Sequence, residues 1–166
     1  VNEILTRWLT IKNNRKMLNV NDFRDYIQSV KTDVTEITVA ETVMDESQLS
    51  KFLEKQTEDD YIVLGIIPKH NPTGTIDSLR SKDTTAILVL KKIARSNQTH
   101  QLFLDTINEA QAITKKVIDK LLFDFQDEER CDFIRYLEVS SLDINPIWGL
   151  NACDGYQIDF SLKTTF

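Results

Sequence analysis

The chain has few of the residues that mark linkers, disulfide frameworks or metal sites. Its 166 residues include only four glycines, three prolines, two cysteines and two histidines. Flexible linkers and low-complexity tails are rich in glycine and proline, so their scarcity predicts one folded domain over residues 1–166. A chain of this length buries roughly 70% of its unfolded surface, which is enough for it to fold alone.

Long apolar runs are also missing. No run of about 18 apolar residues is present, which argues against a transmembrane helix. Four basic residues interrupt the N-terminal stretch where a signal peptide would be apolar: Arg7, Lys12, Arg15 and Lys16. We therefore expect Cys131 and Cys153 to be reduced thiols in a cytosolic protein, a single disulfide between them being the alternative.

The fingerprints of common reactions are absent as well. The sequence contains no dinucleotide-binding or P-loop glycine motif, no His-Glu-x-x-His and no Gly-x-Ser-x-Gly. The segment 72–75 lacks the lysine of a phosphate loop, and His70 and His100 lie too far apart to imply a metal site. The acidic residues of segment 124–132 read as a solvated turn, not as Ca²⁺ ligands. We therefore predict no catalytic, cofactor-binding or metal-binding residues, and no enzyme activity.

Charge is distributed in alternating blocks along the chain, although the net charge is −6. Residues 1–31 carry +3, 32–60 carry −7, 61–123 carry +4 and 124–166 carry −6. A nucleic-acid-binding protein would concentrate positive charge and intersperse aromatic residues with it, and this chain does neither. The blocks are compatible with complementary surfaces that meet in an assembly. The alternative is that each block is simply a solvated face.

Helical spacing of apolar residues predicts several helices before residue 58. A first helix is expected over about residues 2–17, and a short second one begins at Asn21. Asp45 followed by Gln48 resembles a capping box, which predicts a third helix. The second and third helices would bury six apolar residues: Phe23, Ile27, Val30, Leu49, Phe52 and Leu53.

One long amphipathic helix is predicted from about Gln98 to Phe125, capped by Asn97 or Thr99. Its apolar stripe repeats at helical spacing: Phe103, Ile107, Ala110, Ile113, Val117, Leu121 and Phe125. We expect this stripe to be buried against a central pair of strands, at Ile62, Leu64, Leu88 and Leu90.

Five segments have the composition of strands: 35–43, 61–68, 84–93, Phe133–Asn145 and Tyr156–Lys163. Between the second and third lies a polar loop, 69–83, which we expect to be an extended arm that orders only on assembly. The last strand alternates apolar and polar residues, follows a turn at Asp154-Gly155, and is expected to lie at the sheet's edge.

Together these elements predict an α+β fold. Residues 1–57 would form a mostly helical N-terminal part with one strand, and residues 58–166 a core of sheet plus long helix. The sheet would be mainly antiparallel, with the long helix packed across it and the additional N-terminal helices on the same side.

Large apolar side chains occupy the connection between the last two predicted strands. Ile147, Trp148 and Leu150 lie where polar residues are usual. Such groups either plug the open end of a sheet or anchor a partner, and the sequence leaves both readings open.

With this architecture drawn, the chain resembles the tail-terminator or tail-completion (neck) proteins of bacteriophages. The ending over about residues 142–162, LDINPIWGLNACDGYQIDFSL, is also similar to small virion proteins of phages that infect gut Bacteroidetes. The topological resemblance covers most of the chain. The helices expected before Tyr61 exceed the compact form of the group and are a departure from it.

This resemblance implies a non-enzymatic, ring-forming subunit of a virion, made in the host cytoplasm. Its partners would be copies of itself and other virion proteins, with no membrane, no specific nucleic acid and no cofactor. The candidate interface residues are Ile147, Trp148, Leu150, Tyr156, His70, Pro72 and Arg80. The alternative is a soluble intracellular adaptor or inhibitor domain that binds one partner through the Trp148 loop. An unrecognised small hydrolase is a third possibility.

Overall fold

The computed structural model describes residues 18–58, 60–75, 79–97, 99–129 and 133–165. Within these ranges the chain forms three α-helices and five strands: α1 (Val20–Asp33), β1 (Val39–Val43), α2 (Glu46–Leu53), β2 (Tyr61–Thr73), β3 (Arg80–Lys92), α3 (His100–Gln126), β4 (Asp143–Leu150) and β5 (Cys153–Thr165). The helix predicted over residues 2–17 lies outside the described residues.

The five strands form one mixed sheet in the order β1-β2-β3-β5-β4. Every neighbouring pair is antiparallel except β1 and β2, which run parallel. The chain passes from β1 to β2 through α2, and such a helical crossover is what parallel neighbours require. The predicted mainly antiparallel sheet is therefore confirmed, with this one exception.

Helices cover both faces of the sheet, so the prediction that they share one side is wrong. α1 and α3 pack on the face that carries Val63, Ile87 and Ile158. The short helix α2 packs on the opposite face. That opposite face carries the four residues that were expected to lie beneath the long helix: Ile62, Leu64, Leu88 and Leu90. Around these four positions β2 and β3 carry apolar residues on both faces, so their sequences cannot indicate which alternate set faces which helix.

The long helix α3 begins at His100, and the hydroxyl of its N-cap Thr99 accepts a hydrogen bond from the Leu102 amide at 3.2 Å. Of the predicted stripe, four residues are buried: Ala110, Ile113, Val117 and Leu121. Phe103, Ile107 and Phe125 are only half-buried. Thr106 and Thr114 are buried instead. Their burial is tolerated because each hydroxyl donates a hydrogen bond to the carbonyl four residues earlier.

The two shorter helices begin at polar caps. Asp45 caps α2 and accepts from the Gln48 amide at 2.8 Å, as predicted. The cap of α1 is Asn19 and not Asn21, whose own amide donates to the Asn19 side chain. Most of the apolar residues predicted to point inward are buried: Phe23, Ile27, Val30, Leu49 and Leu53, with Phe52 half-buried.

The predicted loop 69–83 is largely strand. The β2–β3 ladder shifts register between Ile66 and Lys69, then continues to the pair Thr73–Arg80. β3 also pairs with β5 along this stretch. Pairing on its other side thus holds β3 extended although its composition is polar, which local sequence could not show.

The strand predicted at Phe133–Asn145 is displaced. Two short 3₁₀ turns occupy its first half, and β4 runs from Asp143 through Trp148 to Leu150. Pro146 is compatible with this position because β4 is an edge strand. The hairpin turn is Asn151-Ala152, with φ of +48° and +59°, as a type I′ turn requires.

The final strand β5 was expected at the edge, but it lies between β3 and β4. Its predicted alternation is confirmed, since Ile158, Phe160 and Leu162 are buried on the α1/α3 face. Asp154-Gly155 is part of this strand and not a turn. A side chain at Gly155 would collide with the Val89 carbonyl, so the closeness of β3 explains the glycine.

Leu121→Ala should lower the free energy of unfolding by about 2–5 kcal/mol, because Leu121 is fully buried between α3 and the sheet. Leu104→Ala on the same helix is the matched control. Leu104 is 44% exposed, so we expect a loss below about 1 kcal/mol there. Urea unfolding measures both values, and equal losses would contradict this placement of the stripe.

Candidate functional site

The free edge strand β4 exposes large apolar side chains. Trp148 is 71% exposed and Ile144 is 46% exposed. Ile144 pairs with Ile158 and Pro146 with Tyr156, so these residues share the α1/α3 face of the sheet. Such exposure on an edge that no described strand covers marks β4 as a candidate interface.

A buried carboxylate holds Trp148 in place. The guanidinium carbon of Arg95 lies 5.5 Å from the centroid of the Trp148 ring. The Arg95 Nη2 atom donates to Oδ1 of Asp154 at 2.8 Å, and the Gly149 amide donates to the same oxygen at 2.8 Å. Asp154 itself is fully buried. The indole is therefore stacked on a cation that is fixed from beneath, which limits its conformational freedom before any partner binds.

Backbone geometry around this network is unusual but supported. Gly149 has φ of +80°, and it lies within the β4–β5 register shift between Ile147 and Leu150. Ala152 adopts a left-handed φ, which costs an L-residue about 1–2 kcal/mol. The Ile93 amide donates to the Ala152 carbonyl at 2.9 Å, and Lys92 Nζ donates to the Asn151 carbonyl at 2.9 Å. The last residue of β3 and the residue that follows it thus hold the turn closed.

Two grooves lie on the helix side of β4. The larger, about 420 Å³, runs between α3 and the strands and is lined mainly by Ile118, Ile144 and Tyr156 with polar residues of α3. The smaller, about 320 Å³, is formed by Thr99, His100, Phe103 and Trp148. Both are shallow and partly apolar, as surfaces that receive side chains of a partner protein commonly are.

The predicted interface residues fall into three groups. Trp148 is exposed, and Tyr156 is half-buried in the wall of the larger groove. Ile147 and Leu150 were expected beside Trp148, but they are half-buried against the core beneath α2. Ile147 faces the other side because neighbouring residues of a strand point to opposite faces. Leu150 does so because the register shift between Ile147 and Leu150 interrupts the alternation.

The remaining predicted residues lie across the sheet from β4. Pro72 and Arg80 are exposed near the end of the β2–β3 hairpin, and His70 is half-buried. His70 Nδ1 is 2.8 Å from Oδ1 of the fully buried Asp83, but the ring N–H is not aligned for a hydrogen bond.

A histidine, a buried carboxylate and a hydroxyl therefore meet at this hairpin. The Ser81 hydroxyl donates its one proton to Asp83 and not to His70, and Thr164 also donates to Asp83. In a nucleophilic triad the hydroxyl must donate its hydrogen bond to the imidazole. Neither of the two grooves beside β4 is lined by His70. The arrangement satisfies a buried carboxylate, and the absence of enzyme activity stays a prediction.

Arg95 and Asp154 were not anticipated as site residues. They are 59 positions apart, and Asp154 next to Gly155 has the appearance of a turn in the sequence. Only the pairing of β3 with β5 brings Asp154 close to Arg95, which lies three residues beyond the end of β3.

Within the described ranges, no group of three His, Cys, Asp or Glu side chains is placed to hold a metal ion. No helix in the same ranges is both long and apolar enough to cross a membrane. No protein-family model matches the chain, and no curated protein matches it.

Cys153 should be a poorly reactive thiol. It is a buried free thiol, and burial raises its pKa to about 11 from an ordinary value near 9. In a Cys131→Ser background, Ellman's reagent at pH 8 should label native protein far more slowly than urea-unfolded protein. The thiol ionises at a lower pH in the unfolded chain than in the folded one. Ionisation therefore favours unfolding, and the stability that is present below about pH 9 is lost as the pH rises to about 11. Rapid labelling of the native protein would contradict the burial.

Asp154→Asn should destabilise the fold and loosen Trp148. It weakens two hydrogen bonds to a charged acceptor, for which we expect a loss of about 1.5–3 kcal/mol. In a Trp8→Phe background, acrylamide should also quench the Trp148 fluorescence more strongly. The control is Asp143→Asn, which removes an exposed carboxylate from β4. Unchanged quenching with Asp154→Asn would show that the network does not position the indole.

Proposed function

We propose that this chain is a non-enzymatic structural subunit of a bacteriophage virion, which joins or closes the tail or neck through ring-type assembly. The observation that carries the assembly part is Trp148, 71% exposed on the free edge strand and stacked on Arg95. An exposed indole with restricted motion is the type of side chain that dominates the binding energy of protein interfaces.

The edge itself supports assembly. An edge strand presents unpaired backbone groups, and proteins that remain monomeric usually cover or blunt such an edge. β4 places exposed Ile144 and Trp148 beside that edge, together with a groove against α3. A neighbouring subunit would bury these apolar groups, while the charge blocks of the sequence would orient the encounter.

The phage part of the proposal rests on the resemblance. It draws on the ending over residues 142–162 and on the element order, in which a long hairpin, a long helix and two closing strands follow one another. The partners of this protein would be copies of itself and other virion proteins. It would be made in the host cytoplasm and would be located in the virion. A heterologous contact between different patches is what a ring requires.

Trp148→Ala should weaken self-association by at least tenfold while leaving the midpoint of thermal unfolding nearly unchanged, because the indole contributes to an interface and not to the core. Phe123→Ala is the matched control, since Phe123 is equally exposed at 71% but lies on α3. Sedimentation velocity over a range of concentrations measures association.

Three outcomes would contradict the proposal. If wild-type protein remains a monomer at every concentration, the adaptor or inhibitor reading takes its place. If both variants weaken association equally, Trp148 has no special role. If Trp148→Ala unfolds the chain, the indole is part of the core.

A further inference from the structure

Among the residues that the structure describes, the sheet has a second open edge besides β4. β1 ends at Val43, which pairs with Ile66, so no described strand borders the outer side of β2 beyond that point. The segment Lys69–Thr73 is nevertheless a strand, paired on its inner side with β3. We define this segment as the upper β2 edge. It lies toward the opposite edge of the sheet from β4.

β1 is a poorer acceptor for another strand, because side chains of α1 and of β1 itself occupy some of its backbone groups. The Gln28 side-chain amide donates to the Ala40 carbonyl at 3.0 Å. The Thr42 amide donates to the Glu41 side chain at 2.9 Å. Side chains that satisfy edge groups in this way oppose strand addition. The upper β2 edge and β4 are therefore the better candidates for pairing.

The charges beside these two edges are opposite in sign. Lys69 and Arg80 are exposed near the upper β2 edge. Asp143 of β4 is exposed and its neighbour Asp159 half-buried, and their carboxylates accept hydrogen bonds from the neutral Asn145 amide. Within the described part of the chain, none of these four charged groups forms a salt bridge. A surface of each sign on opposite sides of one subunit fits head-to-tail contact between copies.

We propose that β4 of one subunit pairs with the upper β2 edge of a second copy of this chain, a contact that rests on the assembly proposed above. β4 runs antiparallel to β5, β5 to β3 and β3 to β2. When two copies lie side by side in one continuous sheet, β4 therefore meets β2 of its neighbour in the antiparallel sense.

Prolines restrict the register of this pairing. Each open edge has one, Pro146 opposite Tyr156 and Pro72 opposite Ser81. Proline has no amide hydrogen, so its nitrogen must face away from the neighbouring strand of its own sheet. Two prolines placed opposite each other across the contact would therefore leave one pair of residues without a hydrogen-bond donor. A shift of two residues removes this conflict. The Ile144 amide then meets the Pro72 carbonyl, and the His70 amide meets the Pro146 carbonyl.

In this register, five residues of each strand pair regularly, from Asp143 opposite Thr73 to Ile147 opposite Lys69. Shifting by two residues the other way would run the pairing into the irregularity after Ile147. The favoured register also brings Trp148 to the point where β1 of the neighbour ends, beside Met44, which is 60% exposed. One contact would thus cover two of the most exposed apolar side chains of the described residues.

The contact displaces successive subunits along the strand direction. Within one subunit, Pro146 lies on the same rung of the sheet as Val89 of β3. In the neighbour, His70 lies on the same rung as Asp83 of β3. Six residues of β3 separate these levels, which corresponds to about 20 Å. The neighbours would therefore share one staggered sheet, with each subunit contributing a different edge to either side.

Disulfide trapping tests the pairing directly. Asn145 and Asn71 face each other in the proposed register, so Asn145→Cys and Asn71→Cys are made as separate proteins in a Cys131→Ser background. After mixing and mild oxidation, a covalent dimer should form in the mixture and in neither protein alone. A variant carrying both changes should form longer covalent oligomers. Thermal unfolding of each variant checks that it is folded.

Thr73→Cys replaces Asn71→Cys as the register control, because it lies on the same face two residues away and should cross-link at least tenfold less. Preferred cross-linking through Thr73→Cys would overturn the register. Dimers of Asn145→Cys alone would show two-fold pairing of β4 with itself and overturn the head-to-tail contact. If wild-type protein associates but the mixture does not cross-link, the edge pairing is wrong while the assembly proposal stands. A wild-type monomer at all concentrations overturns both.

Discussion

The structure depends on the pairing of β3 with both of its neighbours along nearly its whole length. Along its 13 residues β3 pairs with β2 on one side and β5 on the other. Its alternating side chains divide between two cores, Ile87 and Val89 beneath α1 and α3, Leu88 and Leu90 beneath α2. A slip of one residue would exchange these sets, so register and both cores are fixed together.

Much of the local structure was predictable because its causes are local. The cap of α2 at Asp45 and the cap of α3 at Thr99 depend on residues within one turn, and so does the helical stripe around Val117. The strands of the central hairpin are apolar enough to be recognised. Which face each alternate residue takes depends on partners distant in sequence, and there the prediction failed.

The candidate site was predictable only in part, for the same reason. Trp148 was identified as a candidate interface residue because a large apolar side chain is unusual in what was expected to be a loop. Its surroundings were not, because Pro146 and Gly149 resemble loop residues although they belong to an edge strand with a register shift. The buried Asp154 depends on Arg95, and no local pattern reveals that pair.

Rigidity beneath an exposed surface is the feature that connects this fold to the proposed assembly. A tryptophan on a mobile loop would lose conformational entropy on binding, which would offset part of its contact energy. Here the Arg95–Asp154 pair, the Gly149 amide and the turn held by Lys92 restrict the indole in the free subunit. The fold accepts a buried charge and a left-handed alanine in order to do so. These costs become understandable if, as proposed, the edge must be ordered before a neighbour arrives.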